Sequence, residues 1–291
     1  MLHSNVTVII PTTAQKSRHA EIRRCIQSIR DSSRFEVQII TVVNGASPDP
    51  GVCEWLKVQS DVRFEYIETP SAPNAVFHGR KLVTTAYFST LDDDDEYLEG
   101  STDLKLAVLT SSPGTDLVVT NAYRRCDGVE ELLYAHLATV PINPLKSLFE
   151  ANWLHNGNSL FRSSSIGAEY FADYRPFAEW TWLAFKIALD GKKVQTLDHP
   201  TFRVNVTPNS LSQSDAYFDG YLPLFKSMIE LAPPKDILRL IHRRMSAAWH
   251  LNSVRALQQG NRNVALRCHL RSLFLPGGLR YLSYSRHLLQ R

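Results

Sequence analysis

Five acidic side chains stand in a row at residues 92–96, the segment of the chain with the clearest capacity for chemistry. This acidic run consists of four aspartates and one glutamate and directly follows Leu91. Neighbouring carboxylates repel one another, so solvent or a bound cation must offset their charge. Hard divalent ions such as Mg²⁺ and Mn²⁺ take oxygen ligands, often one or two carboxylates together with substrate phosphates. The acidic run therefore indicates a divalent-ion site. A solvated surface loop is the alternative, and the spacing does not match an EF-hand calcium loop.

Two apolar runs ahead of the acidic run predict strands of a parallel sheet. Residues 6–10 are mostly β-branched and end at Pro11. Residues 37–43 form the second run and end at Asn44. Between the two, isoleucines at helical spacing within residues 22–29 predict an amphipathic helix. A strand, a helix and a strand in this order are typical of a parallel sheet, in which ligands lie at the carboxyl ends of the strands.

The remainder of the chain continues the α/β pattern and then becomes helical. Residues 205–214, rich in Ser, Asn and Pro, are predicted to form a loop. The further predicted strands are residues 62–67, 90–91, 117–120 and 193–197, and the further predicted helices are residues 79–89, 179–189, 237–248 and 266–274.

The order of these segments resembles that of the family 2 glycosyltransferases, the large GT-A-fold group of sugar-nucleotide enzymes, over roughly residues 5–215. Residues 6–11 are similar to the family's opening strand and its Ile-Pro exit, and residues 42–47 are similar to its nucleotide loop. Residues 91–95 are similar to its Asp-x-Asp metal motif. Residues 157–162 are similar to the acceptor-side segment that precedes the catalytic base.

The resemblance implies an α/β fold of the GT-A-like type, with a Rossmann-related, mostly parallel sheet flanked by helices. We expect residues 1–214 to form this glycosyltransferase domain. Residues 215–291 are expected to form a basic helical C-terminal extension.

By the same resemblance, the donor is a nucleotide sugar, expected to be a UDP-sugar, and the cofactor is Mn²⁺ or Mg²⁺. Asp94 would be the leading metal ligand, and Asp92 would contact the ribose or the ion. Asp95 would tune or share the metal site. The remaining donor-binding residues that the resemblance implies are Pro11, Thr12, Thr13, Asn44, Arg80, Asp93 and Arg203.

Glu179 is the candidate catalytic base. It is the one carboxylate of residues 177–183, where apolar and aromatic neighbours can raise the pKa of an acid so that it accepts a proton near neutral pH. An inverting transfer needs at least one base for the acceptor hydroxyl and one metal for the departing diphosphate. The alternative is an acid at a helix N-terminus that is favoured by the helix dipole alone.

Three residues are candidates for acceptor binding. Trp180 and Trp182 could stack on a sugar face, although core packing is the favoured interpretation for aromatic residues at the start of a helix. Asn158 could hydrogen-bond a sugar hydroxyl, and a turn role for the Asn-Gly-Asn segment at residues 156–158 is at least as well supported.

The charge of the chain is unevenly distributed. Residues 235–291 carry 11 Lys and Arg and one acidic residue, Asp236, for a net charge of +10, which leaves −7 on residues 1–234. Basic amphipathic helices often bind anionic membranes, and a solvated bundle with an arginine-rich face is the equal alternative. A basic stretch can also bind nucleic acid non-specifically, but no nucleic-acid motif supports that partner.

The sequence thus predicts a metal-dependent inverting glycosyltransferase that acts on a glycan or lipid-linked acceptor in surface polysaccharide synthesis, such as that of lipopolysaccharide. A nucleotidyltransferase and a non-catalytic carbohydrate-binding relative are the alternatives. No run of 18 apolar residues and no signal-peptide pattern is found, so we expect a cytoplasmic protein. Peripheral association with the inner face of the membrane is expected if the basic helices bind it. The spacing of the four cysteines matches no zinc or redox motif.

Overall fold

The computed structural model describes residues 3–135, 137–206 and 220–289. The chain forms two compact units. The first consists of residues 1–174 and 179–208, and the second of residues 175–178 and 209–291. Most of the predicted loop at residues 205–214 and the predicted domain boundary at residue 214 lie outside the described residues.

The first unit alternates strands and helices along most of its length, as the sequence predicts. Its strands are β1 (His3–Thr12), β2 (Glu36–Asn44), β3 (Val62–Ile67), β4 (Tyr87–Thr90), β5 (Glu96–Tyr97), β6 (Leu117–Cys126), β7 (Val129–Leu132), β8 (Ser159–Arg162) and β9 (Val194–Asn205). Its helices are α1 (His19–Asp31), α2 (Pro50–Lys57), α3 (Ala72–Leu82), α4 (Ser101–Ser111), α5 (Pro144–Ser147), α6 (Glu169–Ala172) and α7 (Glu179–Leu189).

These strands form one mixed sheet in the order β3-β2-β1-β4-β8-β6-β9-β5, with β7 paired to β6. The part from β3 to β4 is parallel, and β8 is antiparallel to both of its neighbours. In the parallel part, Thr12 of β1 lies opposite Val43 of β2, and Ile9 lies opposite Thr90 of β4. The carboxyl ends of β1, β2 and β4 therefore meet at one edge of the sheet. The predicted α/β class is confirmed.

Helix α1 covers the parallel part of the sheet with its apolar stripe. Ile22, Ile26 and Ile29 have no solvent exposure, and neither do Val6 and Val8 of β1. These side chains belong to one continuous core cluster. Burial of this kind stabilises the folded state by about 25 cal/mol for each Å² of apolar surface.

The predicted helix at residues 79–89 is wrong in its position. Helix α3 begins earlier, because Ser71 caps its N-terminus by accepting a hydrogen bond from the backbone N of Asn74 (3.3 Å), and Pro73 occupies the first turn, where it is tolerated. Residues 83–86 are mostly small or β-branched, and β4 follows at Tyr87.

The second unit is helical and contains α8 (Tyr221–Glu230), α9 (Lys235–Gln258), α10 (Arg262–Leu273) and α11 (Ser285–Leu289). The predicted apolar stripe of this region consists of Leu266, Leu270, Leu273 and Phe274. Leu266, Leu270 and Phe274, which directly follows α10, are exposed, Leu273 is half-buried, and Ala265 and Cys268 are buried. None of the helices in the described part of the chain has the length and apolar character needed to cross a membrane.

Candidate active site

Three strand ends bring predicted donor-binding residues into one chain of hydrogen bonds. The hydroxyl of Thr12, at the end of β1, donates to Asp93 Oδ2 (2.6 Å). The amide of Asn44, at the end of β2, donates to the carbonyl of Thr12 (2.9 Å). All three residues are buried. The acidic run follows β4 after one residue, Leu91, so the parallel pairing of β1 with β2 and β4 places these residues side by side.

The loop after β1 orients the Thr12 hydroxyl. The backbone N of Ala14 donates to Thr12 Oγ1 (3.0 Å), which leaves the hydroxyl proton for Asp93. Ala14 has a left-handed backbone (φ +48°), an uncommon conformation for a residue with a Cβ, so the loop turns sharply here. Of the other two predicted residues, Pro11 is buried within β1 and Thr13 is exposed.

Arg18 is the one basic side chain that contacts two aspartates of the acidic run among the described residues. Its Nε donates to Asp93 Oδ2 (3.1 Å), and its Nη2 donates to Asp93 Oδ1. The same Nη2 lies 3.1 Å from Asp94 Oδ2. The ion pair with Asp93 raises the pKa of Arg18 further above its already high value. Arg18 was not among the site residues predicted from the sequence.

The acidic run folds into a tight turn, with the backbone N of Asp95 donating to the carbonyl of Asp92 (3.1 Å). Its carboxylates are consequently crowded. Burial, followed by repulsion from Asp94 and Asp93, raises the pKa of Asp92 to about 7. Burial, followed by repulsion from Asp92 and Asp94, raises the pKa of Asp95 well above its usual range. A cation beside the run would oppose both effects.

Asn205, the last residue of β9, joins the far part of the sheet to the acidic run. Its backbone N donates to Asp95 Oδ1 (3.0 Å), and its side-chain amide donates to the carbonyl of Asp94 (2.7 Å). Nearby on the same strand, Arg203 donates to Glu130 Oε1 and lies 3.7 Å from Glu96 Oε2. The predicted contact of Arg203 with the donor diphosphate remains a prediction.

A turn before β8 contributes a further polar group to the site. The amide of Asn156 donates to Asp92 Oδ1 (2.5 Å), and the Oδ1 atom of Asn156 is buried without a hydrogen-bond partner. Gly157 in this turn has φ +89°, and a Cβ there would lie 2.7 Å from the ring of Phe202. The turn can therefore approach the sheet only with glycine at this position.

Lys105 of α4 lies beneath this turn. It has no solvent exposure, and its Nζ lies 3.4 Å from the carbonyl oxygen of Gly157 and 3.9 Å from the centroid of the Tyr97 ring. Burial lowers the pKa of Lys105 to about 7. A fully buried lysine is uncommon, and this one contacts the backbone of the segment that presents Asn156 to Asp92.

Other predicted site residues have polar partners or packing contacts within the fold. Arg80 is buried and donates to the carbonyls of Ser163 and Ile166. Asn158 has no exposure and donates to the carbonyl of Trp153 (2.8 Å). These bonds give both residues a structural role, and their binding roles remain predictions.

The candidate base and the two tryptophans lie in α7. Glu179 is its first residue and is half-buried, as is Trp180. Trp182 is 2% exposed and stacks on Phe185 with ring centroids 6.1 Å apart, which agrees with the core interpretation of this residue. Catalysis by Glu179 and acceptor binding by the tryptophans remain predictions.

The donor atoms at the acidic run suit a hard divalent ion. They are carboxylate oxygens together with the unpartnered amide oxygen of Asn156, which is the chemistry that Mg²⁺ and Mn²⁺ prefer. Within the described ranges, no three His, Cys, Asp or Glu side chains converge to coordinate an ion. The chemistry of the set would suit an ion that is held by one or two carboxylates together with phosphates of a substrate. The assignment of Asp94 and Asp92 as its ligands remains a prediction.

Residues 7–168, more than half of the chain, match the family model described as Glycosyl transferase family 2. The protein belongs to this family and is a glycosyltransferase, as the order of its sequence segments predicts. No curated protein sequence matches the chain.

Among solved structures, the chain is similar to S. aureus TarS 1-349 in complex with UDP-GlcNAc. The TM-score is 0.63 and the sequence identity 13%, over 92% of this chain and 81% of that chain. S. aureus TarS 1-349 in complex with UDP gives a TM-score of 0.55 and 13% identity, over 92% of this chain and 90% of that chain. These similarities confirm the predicted GT-A-like fold.

Proposed function

We propose that this protein is an inverting, divalent-cation-dependent glycosyltransferase that transfers a sugar from a UDP-sugar to a glycan or lipid-linked acceptor. Its product would belong to a surface polysaccharide such as lipopolysaccharide. The observation that carries the proposal is the hydrogen-bonded chain from Asn44 through Thr12 to Asp93, next to Asp94 and Asp92. The similar TarS structures are complexes with UDP-GlcNAc and with UDP, which supports a uridine nucleotide as the donor.

The site residues would act mainly by holding the donor and the ion in fixed positions. Thr12 and Asn44 fix the loops at the ends of β1 and β2, where a nucleotide would bind. Asp94 and Asp92 would hold the ion, which when bound neutralises charge on the departing diphosphate. Asn156 orients Asp92 through its amide hydrogen bond. Fixed groups of this kind lower the barrier because they need no rearrangement during the reaction.

Glu179 would remove the proton from the acceptor hydroxyl as that hydroxyl attacks the anomeric carbon. The proton moves to the carboxylate, the new glycosidic bond forms, and the bond to the UDP oxygen breaks on the opposite face, which inverts the anomeric centre. A position at the first turn of α7 gives the carboxylate a fixed backbone. The contribution of such a base is typically 10²- to 10⁴-fold.

The function is tested by following UDP release from UDP-sugars with Mn²⁺ in the wild type and in Glu179→Gln. We expect turnover by the wild type and a loss of about 10²- to 10⁴-fold in Glu179→Gln with UDP binding retained, because only the base is removed. Glu150→Gln is the matched control, since Glu150 is exposed at the surface.

Two outcomes would contradict the proposal. Release of pyrophosphate from a nucleoside triphosphate would favour the nucleotidyltransferase, and sugar-nucleotide binding without turnover would favour the non-catalytic relative. Wild-type turnover in Glu179→Gln would show that another group is the base.

We also propose that the second unit binds an anionic membrane, so that the enzyme acts at the inner face of the membrane. Three members of the apolar stripe, Leu266, Leu270 and Phe274, are exposed by 45%, 45% and 87%. Arg267 and Arg271 are exposed beside it on the same helix. A helix face that combines apolar and basic side chains matches the interface of an anionic bilayer.

Vesicle binding tests this membrane proposal. We expect the full chain to sediment with phosphatidylcholine vesicles that contain phosphatidylglycerol, but not with phosphatidylcholine alone. Binding should weaken at 1 M salt, where the Debye length is about 3 Å. Phe274→Ser should reduce affinity about tenfold, a loss of about 1.4 kcal/mol.

The control is Ile142→Ser, since Ile142 is 84% exposed but lies in the first unit. Equal losses in the two variants would contradict a specific role for the apolar stripe. Tighter binding to a polynucleotide than to anionic vesicles would instead indicate a nucleic-acid partner.

A further inference from the structure

The guanidinium of Arg18 lies where the proposed function needs a different cation. It contacts both oxygens of Asp93, and its Nη2 lies 3.1 Å from Asp94 Oδ2. Asp94 is the residue that the proposed function assigns to the divalent ion. The protein therefore holds a positive charge of its own at the candidate metal ligand.

The contact with Asp93 is fixed from both sides. Asp93 is oriented by the Thr12 hydroxyl (2.6 Å), and the backbone N of Arg18 donates to the carbonyl of Gln15 (2.9 Å) in the 3-10 turn ahead of α1. Two parallel bonds from one guanidinium to one carboxylate are the strong geometry for an arginine. Asp93 is thereby engaged within the protein.

The contact with Asp94 is of a different kind. It is a single approach of one nitrogen to one oxygen, and the Asp94 side chain is 19% exposed, compared with 8% for Asp93. The side chain of Arg18 is 33% exposed, so it reaches the acidic run from the solvent side. It can move away from Asp94 without opening the core.

An ion and the guanidinium compete for the same oxygen. Mg²⁺ binds its oxygen ligands at about 2.0–2.1 Å, so an ion on Asp94 Oδ2 would lie within a few ångströms of the Arg18 nitrogen in its present place. Two cations at that separation repel each other. Arg18 in its present place therefore opposes the binding of an ion at Asp94 Oδ2.

We propose that Arg18 is a counter-cation of the acidic run. Its guanidinium contacts Asp94 before the divalent ion binds and withdraws from Asp94 when the ion binds. The inference rests on the proposed function, because it takes Asp94 as the ion ligand. It assigns a role to a residue outside the metal motif. Arg18 sets the affinity for the ion by competing with it, and it acts as a positioning residue rather than a catalytic one.

The test is the affinity of the full chain for Mn²⁺ without nucleotide, measured by electron paramagnetic resonance of free Mn²⁺. Arg18→Gln removes the competitor, so we expect it to bind Mn²⁺ about tenfold more tightly than the wild type. Arg23→Gln is the matched control, since it removes the same charge from nearby α1, where the guanidinium of Arg23 lies over the Trp55 ring. We expect that variant to stay within about twofold of the wild type.

Circular dichroism would detect failure of Arg18→Gln to fold. In that case a second variant and a second measurement test the proposal. Arg18→Lys keeps the charge but loses the two-bond fork, so it should bind Mn²⁺ with intermediate affinity. In the wild type, the Nε–H signal of Arg18 in a ¹⁵N spectrum, assigned with the Lys variant, should shift on addition of diamagnetic Mg²⁺.

The outcomes separate this inference from the proposed function. The exchange would be overturned, with the metal site left in place, if Arg18→Gln bound Mn²⁺ no more tightly than the wild type. It would also be overturned if the Nε–H signal of Arg18 did not shift on addition of Mg²⁺. Binding by Arg18→Gln but not by the wild type would support the exchange in its strongest form. If neither protein binds Mn²⁺ without nucleotide, the exchange is overturned, because Arg18 then has no ion to compete with. UDP-sugar turnover with and without Mn²⁺ would show separately whether the metal site of the proposed function remains.

Discussion

Asp94→Asn is expected to lower glycosyl transfer by about 10²- to 10³-fold and to remove the extra thermal stabilisation that Mn²⁺ gives to UDP-bound protein. Asp93 and Asp95 are engaged within the protein, because Asp93 pairs with Arg18 and Asp95 accepts from the backbone of Asn205. Asp92, the second proposed ligand, accepts a hydrogen bond from Asn156 at Oδ1. Asp94 combines solvent exposure with a place in the acidic run. An amide oxygen there keeps the size of the side chain and removes the charge that holds an ion.

The measurement is the melting temperature with UDP, in the presence and absence of Mn²⁺, together with UDP release. Asp127→Asn is the control, because Asp127 is exposed in the turn between β6 and β7 with φ +48°, which asparagine also tolerates. If Asp94→Asn keeps the Mn²⁺-dependent stabilisation, Asp94 is not the ligand. Loss of it in Asp92→Asn instead would move the assignment to Asp92.

The part of the site that was predictable from sequence is the part built on parallel strands. Apolar runs that end at Pro11 and Asn44, and the acidic run behind Leu91, each mark the carboxyl end of a strand. Parallel pairing then brings these ends to one edge without any knowledge of the loops. Thr12, Asn44 and Asp93 do lie together for this reason.

The contacts that were missed lie where position depends on the path of a loop. Arg18 follows a turn in which Ala14 is left-handed, and no spacing rule for helices or strands predicts that geometry. Asn156 contacts Asp92 across 64 positions of the chain, through a turn that only glycine at 157 permits. Both contacts come from tertiary structure rather than from local pattern.

Helix α3 shows a signal that was available in the sequence. Ser71 followed by Pro73 is a typical start of a helix, with a capping side chain and a proline in the first turn. The predicted helix at residues 79–89 joined the end of α3, residues 79–82, to β4 and therefore missed this start. The exposure of the apolar stripe at α10 was not predictable either. Periodicity shows which residues share one face of a helix, but not whether that face is buried or exposed.

Lys105→Met is expected to flatten the dependence of protein stability on pH between pH 7 and pH 9. Burial lowers the pKa of Lys105 from 10.5 to about 7 in the folded protein. At and below pH 7 the lysine becomes charged in the folded protein as it already is in the unfolded chain, so the folded state carries the cost of burying that charge. From pH 7 toward 10.5 the unfolded chain binds the proton while the folded protein does not, and the free energy of unfolding therefore rises with pH.

The rise attributable to Lys105 is about 2 kcal/mol between pH 7 and pH 9, at about 1.4 kcal/mol for each unit of difference in pKa. Urea unfolding at pH 7, 8 and 9 measures it as the difference between the wild type and Lys105→Met. Lys146→Met, which alters an exposed lysine, should leave that dependence unchanged. Parallel pH curves for the wild type and Lys105→Met would mean that Lys105 keeps its proton in the fold, held by the Gly157 carbonyl and the Tyr97 ring. If the free energy of unfolding rises with pH in the wild type and in Lys146→Met but not in Lys105→Met, Lys105 is neutral in the folded protein beside the turn that carries Asn156.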